Sequence, residues 1–390
     1  MKYSKLTERI ASEGAAAWDI HYRALEKAAA GENVIVLSVG DPDLDTPAPI
    51  RDAAITGLSA GQTHYTDCQG EADLRSVIAA WETSRRANNV SAQQIVVQAG
   101  AQCGLYSLAQ CLLEADDEVI VFEPMYITYE AVFTSVGAKL TKLNLDPEND
   151  WALPVEQLQR SINSRTRAIV LNTPNNPTGA MLNATEWQAV LELAHRHDLW
   201  VIVDEVYSEL TYDQAHLDLA DSLVDERVVT INSLSKSHAM TGWRVGWITA
   251  SESLAAHLTN LALCMLYGLP KFVQSAAIEA FVNHPNYVSE ARSIYLRRRN
   301  AAVSVLRDNG VPLSFVPSAG MFLMLDVRGT GLSATEFAEQ LLDRYGVSVL
   351  VGDAFGEPAR GHIRISFCLN EARIREAMSR IAQFWNELSL

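Results

Sequence analysis

Six short runs of apolar, mostly β-branched residues are spaced through the middle of the chain, and they restrict its fold more than any other feature. The runs lie at residues 95–98, 118–122, 168–171, 200–204, 228–232 and 245–249. Each run is bounded by turn residues or by amphipathic stretches of ten or more residues. This alternation predicts strands buried on both faces and joined by helices. We therefore predict an α/β fold with a doubly wound, mostly parallel sheet across about residues 46–284.

The chain has 390 residues, which is longer than one hydrophobic core usually supports. Beyond the predicted sheet, residues 287–306 have the pattern of one long amphipathic helix, and strand-like segments follow at 321–327, 346–352 and 362–367. We expect a large domain over 46–284. We also expect a smaller α+β domain made of 285–390 together with the N-terminal segment 1–45.

The overall charge limits the kinds of partner. The chain has 31 Lys and Arg against 47 Asp and Glu, a net charge of −16, which disfavours binding to nucleic acid or to an anionic membrane. Its five cysteines are scattered without a C-x-x-C spacing, so no disulfide framework or metal site is indicated. With no export signal or membrane span in the sequence pattern, we expect a cytoplasmic protein that acts on small molecules.

Polar residues that follow the predicted strands are candidates for a binding site, because ligands of open α/β sheets bind beyond the carboxyl ends of the strands. Ala101 and Gln102 open a helix after the strand at 95–98. A helix N-terminus attracts phosphate, although these small residues also suit an ordinary helix start. Asp204 ends the strand at 200–204 and needs a partner if it is buried. A protonated pyridine nitrogen would serve, and capping of the next helix is the alternative.

Two basic residues follow the strand at 228–232. Lys236 comes three residues after Ser233, and Arg244 lies eight residues further on, within the apolar sequence GWRVGW. A lysine in a dry cleft can have its pKa lowered and act as an amine nucleophile, whereas a lone lysine is usually a solvated surface residue. A guanidinium in apolar surroundings suits a bidentate anion such as phosphate.

Four motifs then identify a family. They are NPTG (176–179), DEVY (204–207), SLSK (233–236) and GWRVG (242–246). In this order and at these spacings, the motifs closely resemble those of the class I and II aminotransferases, which are pyridoxal-phosphate-dependent enzymes of fold type I. The resemblance extends from about residue 40 to about residue 364. It implies an aminotransferase that binds pyridoxal 5′-phosphate.

The resemblance assigns roles around the cofactor ring. Lys236 would carry the cofactor covalently and afterwards move a proton between the substrate α-carbon and the cofactor. Asp204 would pair with the pyridine nitrogen. Tyr207 and Asn176 would hydrogen-bond the phenolate oxygen of the ring. Tyr126 would stack on the ring face, with a role as an ordinary core tyrosine as the alternative.

The family also implies a phosphate site and a dimer. The phosphate would be held by Ala101, Gln102, Ser233 and Arg244, and by Tyr65 from the neighbouring subunit. We therefore expect a homodimer with shared active sites.

The substrate carboxylate has its own expected partners. Arg364 resembles the arginine that binds the α-carboxylate, for which a planar guanidinium is well suited. Gly40 corresponds to the position whose backbone lies beside the same carboxylate, and Asn176 is expected to contact the substrate as well.

Several stretches go beyond what the class requires. They resemble the arginine–pyruvate transaminases of bacterial arginine catabolism at residues 15–25, 99–103, 123–133, 233–247 and 261–268. The resemblance implies a ping-pong reaction that moves the α-amino group of L-arginine to a 2-oxo acid such as pyruvate. Carboxylates and aromatic faces suit a guanidinium side chain. Asp67, Asp19 and Trp18 are therefore candidate side-chain contacts, with solvated or capping aspartates as the alternative.

Other functions remain open at the level of the sequence. The donor could be an aromatic, aliphatic or acidic amino acid. The same cofactor also supports β-lyase, decarboxylase or oxidase reactions, since the reaction depends on which α-carbon bond lies perpendicular to the ring. A regulatory module of the kind that is fused to a DNA-binding segment is disfavoured, because no basic recognition helix precedes the resembling region.

Overall fold

The computed structural model describes residues 1–11, 18–86, 88–217 and 225–388. Residues 15–17 of the resembling stretch 15–25, and residues 389–390 of the predicted small domain, lie outside the described residues.

The helices and strands alternate through most of the chain. The helices are α1 (Lys5–Arg9), α2 (Asp19–Ala29), α3 (Ala48–Ser59), α4 (Ala72–Ser84), α5 (Ala101–Leu112), α6 (Tyr129–Thr134), α7 (Val155–Ser161), α8 (Ala184–His197), α9 (Glu252–Met265), α10 (Lys271–Val282), α11 (His284–Asp308), α12 (Ala334–Tyr345) and α13 (Glu371–Leu388). The strands are β1 (Ile35–Val36), β2 (Ile95–Ala99), β3 (Glu118–Glu123), β4 (Lys139–Asn144), β5 (Thr166–Asn172), β6 (Trp200–Asp204), β7 (Val228–Ser233), β8 (Val245–Thr249), β9 (Phe322–Asp326), β10 (Val347–Ser348), β11 (Leu350–Val351) and β12 (His362–Ser366).

The central sheet has seven strands in the order β2-β8-β7-β6-β5-β3-β4. Strands β3 to β7 are mutually parallel, and only β8 runs antiparallel to its neighbours β2 and β7. The predicted α/β class and mostly parallel sheet are confirmed. The edge strand β4 was not predicted, because its sequence KLTKLN is polar and most of its residues are partly or fully exposed.

Helices cover both faces of this sheet, as the double winding requires. Side chains of successive strand residues point to opposite faces. Val96 accordingly packs in the cluster formed by α5, α6 and α9, whereas its neighbours Ile95 and Val97 pack in the cluster formed by α3, α4 and α10. A third cluster, around α7 and α8, includes Ile120 and Trp187. Nearly continuous burial on two faces explains why these strands are apolar throughout.

The C-terminal third of the chain packs with residues near the N-terminus. Strands β11, β12 and β9 form an antiparallel sheet, and β1 pairs in parallel with β10. A single apolar cluster joins Ile20 of α2 with Tyr295 of α11 and Phe384 of α13. The long amphipathic helix predicted over 287–306 forms the greater part of α11. The division into domains at residues 46 and 285 stays a prediction.

The register of the sheet brings the carboxyl ends of β5, β6 and β7 to the same end of the sheet. Asn172 pairs with Asp204 across β5 and β6, and Asp204 pairs with Ile231 of β7. Strand β8 begins at the same end because it is antiparallel, and its Gly246 lies opposite Ser233. The start of β8 thus lies between the ends of β7 and β2, although it is distant from β2 in sequence. None of the helices in the described residues is long and apolar enough to cross a membrane.

Candidate active site

A cavity lies at the carboxyl ends of β5, β6 and β7. Its volume of about 550 Å³ is within the size range of small-molecule sites. Twelve of the fifteen predicted site residues line it: Trp18, Gly40, Ala101, Gln102, Tyr126, Asn176, Asp204, Tyr207, Ser233, Lys236, Arg244 and Arg364. Residues that are up to 346 positions apart in the chain therefore meet in one place.

Lys236 lines the cavity and is partly buried. Its Nζ donates a hydrogen bond to the carbonyl oxygen of Gly40 at 2.8 Å. Burial lowers the pKa of the Lys236 amine, because desolvation disfavours the charged form. A lowered pKa increases the neutral fraction, which is the nucleophilic form of an amine.

Asp204 is a buried carboxylate at the end of β6, with 4% of its surface exposed. The Tyr129 hydroxyl donates to its Oδ2 at 2.8 Å, and the Val206 N–H donates to its Oδ1 at 3.2 Å. Burial raises the pKa of Asp204 to about 6. Among the described residues no cation forms an ion pair with it. A protonated ring nitrogen in the cavity would supply the missing positive charge and favour the ionised carboxylate.

Aromatic residues form the walls of the cavity next to Asp204. Tyr126 lies edge-on to Tyr129, with ring centroids 5.7 Å apart, and Tyr207 packs edge-on against Phe322 at 5.8 Å. Burial raises the pKa of Tyr207 well above its ordinary value. Its hydroxyl therefore stays protonated near neutral pH and can donate a hydrogen bond.

The start of α5 and the side chain of Arg244 form a cationic corner. Gly100 precedes α5 with φ +80, and a Cβ at that position would lie 2.5 Å from Arg244 Nη2. Arg244 Nη1 donates to the Thr241 carbonyl oxygen at 2.7 Å, and no carboxylate within the described ranges forms an ion pair with it. The first N–H groups of a helix lack intrahelical acceptors. The corner therefore has the properties of an anion site.

Arg364 is a buried guanidinium on β12, with 5% of its surface exposed. Its Nη1 donates to Asn176 Oδ1 at 3.0 Å and its Nη2 donates to the Ser38 carbonyl oxygen at 2.9 Å, while its Nε has no hydrogen-bond partner. The guanidinium carbon lies 4.2 Å from the centroid of Phe322 and 5.0 Å from that of Phe355. Burial lowers its pKa to about 10, so the group remains charged at neutral pH. A buried cation with a free donor is suited to bind a carboxylate.

Three predicted residues do not line the cavity of their own chain. Tyr65 is 87% exposed and packs against Tyr267, with ring centroids 4.8 Å apart. Asp67 accepts the Gln69 N–H at 2.9 Å and so stabilises a local turn. Asp19 is exposed at the first residue of α2, in the position of a residue that interacts with a helix dipole.

Sequence reasoning missed several residues of the cavity region. Tyr129, which donates to Asp204, follows Tyr126 by three residues, and this spacing was the only available signal for it. Phe322 and Phe355 pack around Arg364, and Asp41 lines the cavity beside Gly40. Nothing local distinguishes these three from other core or turn residues.

Comparison with known proteins extends these observations. The family described as aminotransferase class I and II matches residues 32–381. The arginine–pyruvate transaminase of Pseudomonas aeruginosa is 52% identical over 98% of this chain and 98% of its own length. The aspartate aminotransferase of Pyrococcus horikoshii is 33% identical over 91% of this chain and 92% of its own. The structure of a double mutant of Thermus thermophilus aspartate aminotransferase superposes with a TM-score of 0.93 at 29% identity, over 98% of this chain and 100% of that one.

Proposed function

The chain belongs to the class I and II aminotransferases, which depend on pyridoxal phosphate, and on that premise we propose that its amino donor is L-arginine and its acceptor a 2-oxo acid such as pyruvate. The observation that carries the choice of donor is the 52% identity, over 98% of both chains, to a protein named as an arginine–pyruvate transaminase. A relative at 33% identity is named for aspartate instead, so membership of the class leaves the donor open.

The unpaired groups of the cavity fit the parts of pyridoxal phosphate. The Asp204 carboxylate would bind the pyridine nitrogen, the Lys236 amine the aldehyde carbon, and Arg244 with the start of α5 the phosphate. The bound cofactor supplies a conjugated ring that accepts the electron pair released at the substrate α-carbon. Each of these groups lines the cavity, and none of them forms an ion pair with another residue in the described part of the chain.

Asn176 and Tyr207 would hydrogen-bond the phenolate oxygen. The amide oxygen of Asn176 already accepts from Arg364 Nη1, which leaves its NH₂ group as the donor for another acceptor. One side chain would thereby link the carboxylate-binding arginine to the cofactor ring. This arrangement supports the assignment of Asn176 to both the cofactor and the substrate.

Arg364 would orient the substrate, and Lys236 would move the proton. The α-carboxylate is shared by every donor amino acid and every acceptor oxo acid, so one guanidinium can serve both halves of a ping-pong reaction. Holding the carboxylate fixes the α-carbon relative to the Lys236 amine. That amine, once free, would take the proton from the substrate α-carbon and deliver it to the cofactor carbon to which the nitrogen is transferred.

We propose that the enzyme works as a homodimer. The exposed Tyr65 and Tyr267 pack against one another with tilted rings, and two residues of α9 near Tyr267 in sequence, Leu263 and Met265, are also exposed large apolar residues. Apolar patches of this kind typically mark interfaces. A second copy of the chain would cover them and would receive the Tyr65 hydroxyl at its own phosphate site.

A spectral titration of the purified enzyme tests the donor. Each of the twenty amino acids is added in turn, and the conversion of the aldehyde form of the bound cofactor to its amine form is followed by absorbance. Rapid conversion by arginine, reversed by pyruvate, is the expected result. Faster conversion by aromatic, aliphatic or acidic amino acids would exclude arginine as the donor, and no conversion by any of them would favour a lyase or regulatory role.

A further inference from the structure

One charged side chain that lines the cavity, Asp41, has no assigned role in binding the cofactor or the α-carboxylate. Within the described residues, five charged side chains line the cavity: Lys236, Arg244, Arg364, Asp204 and Asp41. The first four are accounted for by the cofactor and the α-carboxylate. Asp204 is also buried and bonded to Tyr129. Asp41 is therefore the remaining charge that a substrate side chain can meet.

The backbone holds Asp41 close to the reacting groups. The carbonyl oxygen of Ser38 accepts from Arg364 at 2.9 Å, and that of Gly40 accepts from Lys236 at 2.8 Å. Consecutive Cα atoms are about 3.8 Å apart, so Asp41 lies one residue beyond the contact with Lys236. A Cβ at Gly40 would lie 2.4 Å from Phe322, and this close packing restricts the position of the segment.

The aspartates that follow Gly40 have different environments. Asp43 forms a bidentate ion pair with Arg298 at 2.6 and 2.8 Å, which gives it a structural role. Asp41 is exposed and makes no hydrogen bond or ion pair with any residue in the described part of the chain. Its carboxylate is thus available to a ligand. Asp45 is exposed as well but does not line the cavity.

We infer that Asp41 selects donors with a cationic side chain by pairing with the guanidinium while Arg364 holds the α-carboxylate. The inference deepens the proposed function and rests on it. Trp18 lines the same cavity and offers an aromatic face to a planar guanidinium. An acidic side chain would meet Asp41 with like charge, so the same residue disfavours aspartate as a donor.

The first test compares Asp41→Asn with Asp45→Asn. Both variants remove one charge from the same loop, but only the first changes the cavity. We expect the ratio of kcat/KM for arginine to that for alanine to fall roughly tenfold in Asp41→Asn, as for loss of a hydrogen bond to a charged group, and to stay unchanged in Asp45→Asn. Asp41→Glu, which keeps the charge, should restore part of the ratio.

A second readout does not depend on turnover. δ-Guanidinovalerate has the side chain and carboxylate of arginine but no amino group, and valerate lacks the guanidinium as well. In the holoenzyme, Asp41→Asn should weaken competitive inhibition by δ-guanidinovalerate and not that by valerate. This pair of inhibitors reports on Asp41 whichever donor the enzyme prefers.

The outcomes separate the inference from the proposed function. Equal losses for arginine and alanine, together with equal losses for the two inhibitors, would mean that Asp41 acts only through Lys236, and the inference would be overturned. A selective loss in Asp67→Asn but not in Asp41→Asn would assign side-chain recognition to Asp67 and overturn it too. A wild-type enzyme that does not react with arginine would contradict the proposed donor. The pair of inhibitors would still show whether Asp41 binds a guanidinium.

Discussion

At the scale of single residues, the site is defined by charges that the folded chain leaves uncompensated. Arg364 has a buried Nε without a partner, and Asp204 is a carboxylate at the end of an apolar strand. Both arrangements cost free energy in the chain alone. Binding of substrate and cofactor would recover that cost, which is why binding and catalysis depend on these residues.

Arg364→Lys should weaken binding of the donor amino acid and of the acceptor oxo acid by the same factor. A single ammonium cannot replace the planar guanidinium that bonds Asn176 and Ser38 while facing a carboxylate. Loss of one charge-assisted hydrogen bond costs about 2 kcal/mol, roughly a thirtyfold rise in each KM. Steady-state kinetics with both substrates measure the effect, and Arg360→Lys on the surface is the control. A change in only one KM would contradict the assignment.

Asp204→Asn should stabilise the cofactor-free protein above pH 6 and weaken its affinity for the cofactor. Burial raises the pKa of Asp204 from 3.8 to about 6. Between those values the folded chain binds more protons than the unfolded chain, so the stability of the wild type falls as pH rises. Above pH 6 the buried, ionised Asp204 lowers the free energy of unfolding of the wild type by about 3 kcal/mol.

Denaturant titrations of the two cofactor-free proteins at several pH values test this prediction. The variant and the wild type should have similar free energies of unfolding near pH 4 and should differ most at pH 7 to 8. A difference that is constant with pH would show that the substitution acts through packing and not through the charge.

At the scale of elements, the junction between β2 and α5 determines where the proposed phosphate site lies. Gly100 has φ +80, and the space that a Cβ would occupy is taken by Arg244. The antiparallel direction of β8 brings Arg244 to this junction, since β8 begins where β2 ends. The local sequence predicted the helix start, whereas the position of Arg244 depends on the pairing of strands far apart in the chain.

Gly100→Ala should therefore weaken cofactor binding more than the backbone strain alone explains. Gly61 has a similar φ of +76 with no atom within 4 Å of its Cβ position, which makes Gly61→Ala the matched control. Both variants should lose at least about 1 kcal/mol of stability, because residues with a Cβ rarely adopt a positive φ. Only Gly100→Ala should displace Arg244 and raise the Kd for pyridoxal phosphate, measured by fluorescence titration of the cofactor-free protein. Equal values of Kd in the two variants would show that Gly100 does not contribute to the phosphate site.

At the scale of the whole molecule, the active site is expected to need two chains. Tyr65 is exposed on its own chain, and the family resemblance assigns its hydroxyl to the phosphate of a neighbouring subunit. Tyr65→Phe keeps the ring contact with Tyr267 and removes only that hydroxyl.

Mixed dimers of Lys236→Ala and Tyr65→Phe chains should recover sites with wild-type affinity for the cofactor. In such a dimer, the site that retains Lys236 receives an intact Tyr65 from the other chain. Lys236→Ala alone should be inactive, and Tyr65→Phe alone should need more cofactor to reach full activity. Activity of the mixture at limiting cofactor gives the measurement, with sedimentation to establish assembly. A mixture that behaves as the average of its parents would contradict the shared site.

The sequence by itself determined the class of fold and most of the chemistry. The apolar runs and the helical periodicity are local properties, and they predicted six of the seven strands of the central sheet, all except β4, without reference to distant residues. The motifs around Asn176, Asp204, Lys236 and Arg244 belong to a family pattern, and all four residues meet in the cavity.

Only the tertiary structure decided which remaining residues approach those four. The pairing of Tyr129 with Asp204, the packing of Phe322 and Phe355 on Arg364, and the place of Asp41 beside Lys236 depend on long-range contacts. An aspartate at position 41 looks in sequence like those at positions 19 and 67, and the three differ only in what the folded chain puts next to them. The physical reason is that periodicity and residue chemistry act over a few residues, whereas the convergence of side chains depends on the packing of the whole chain.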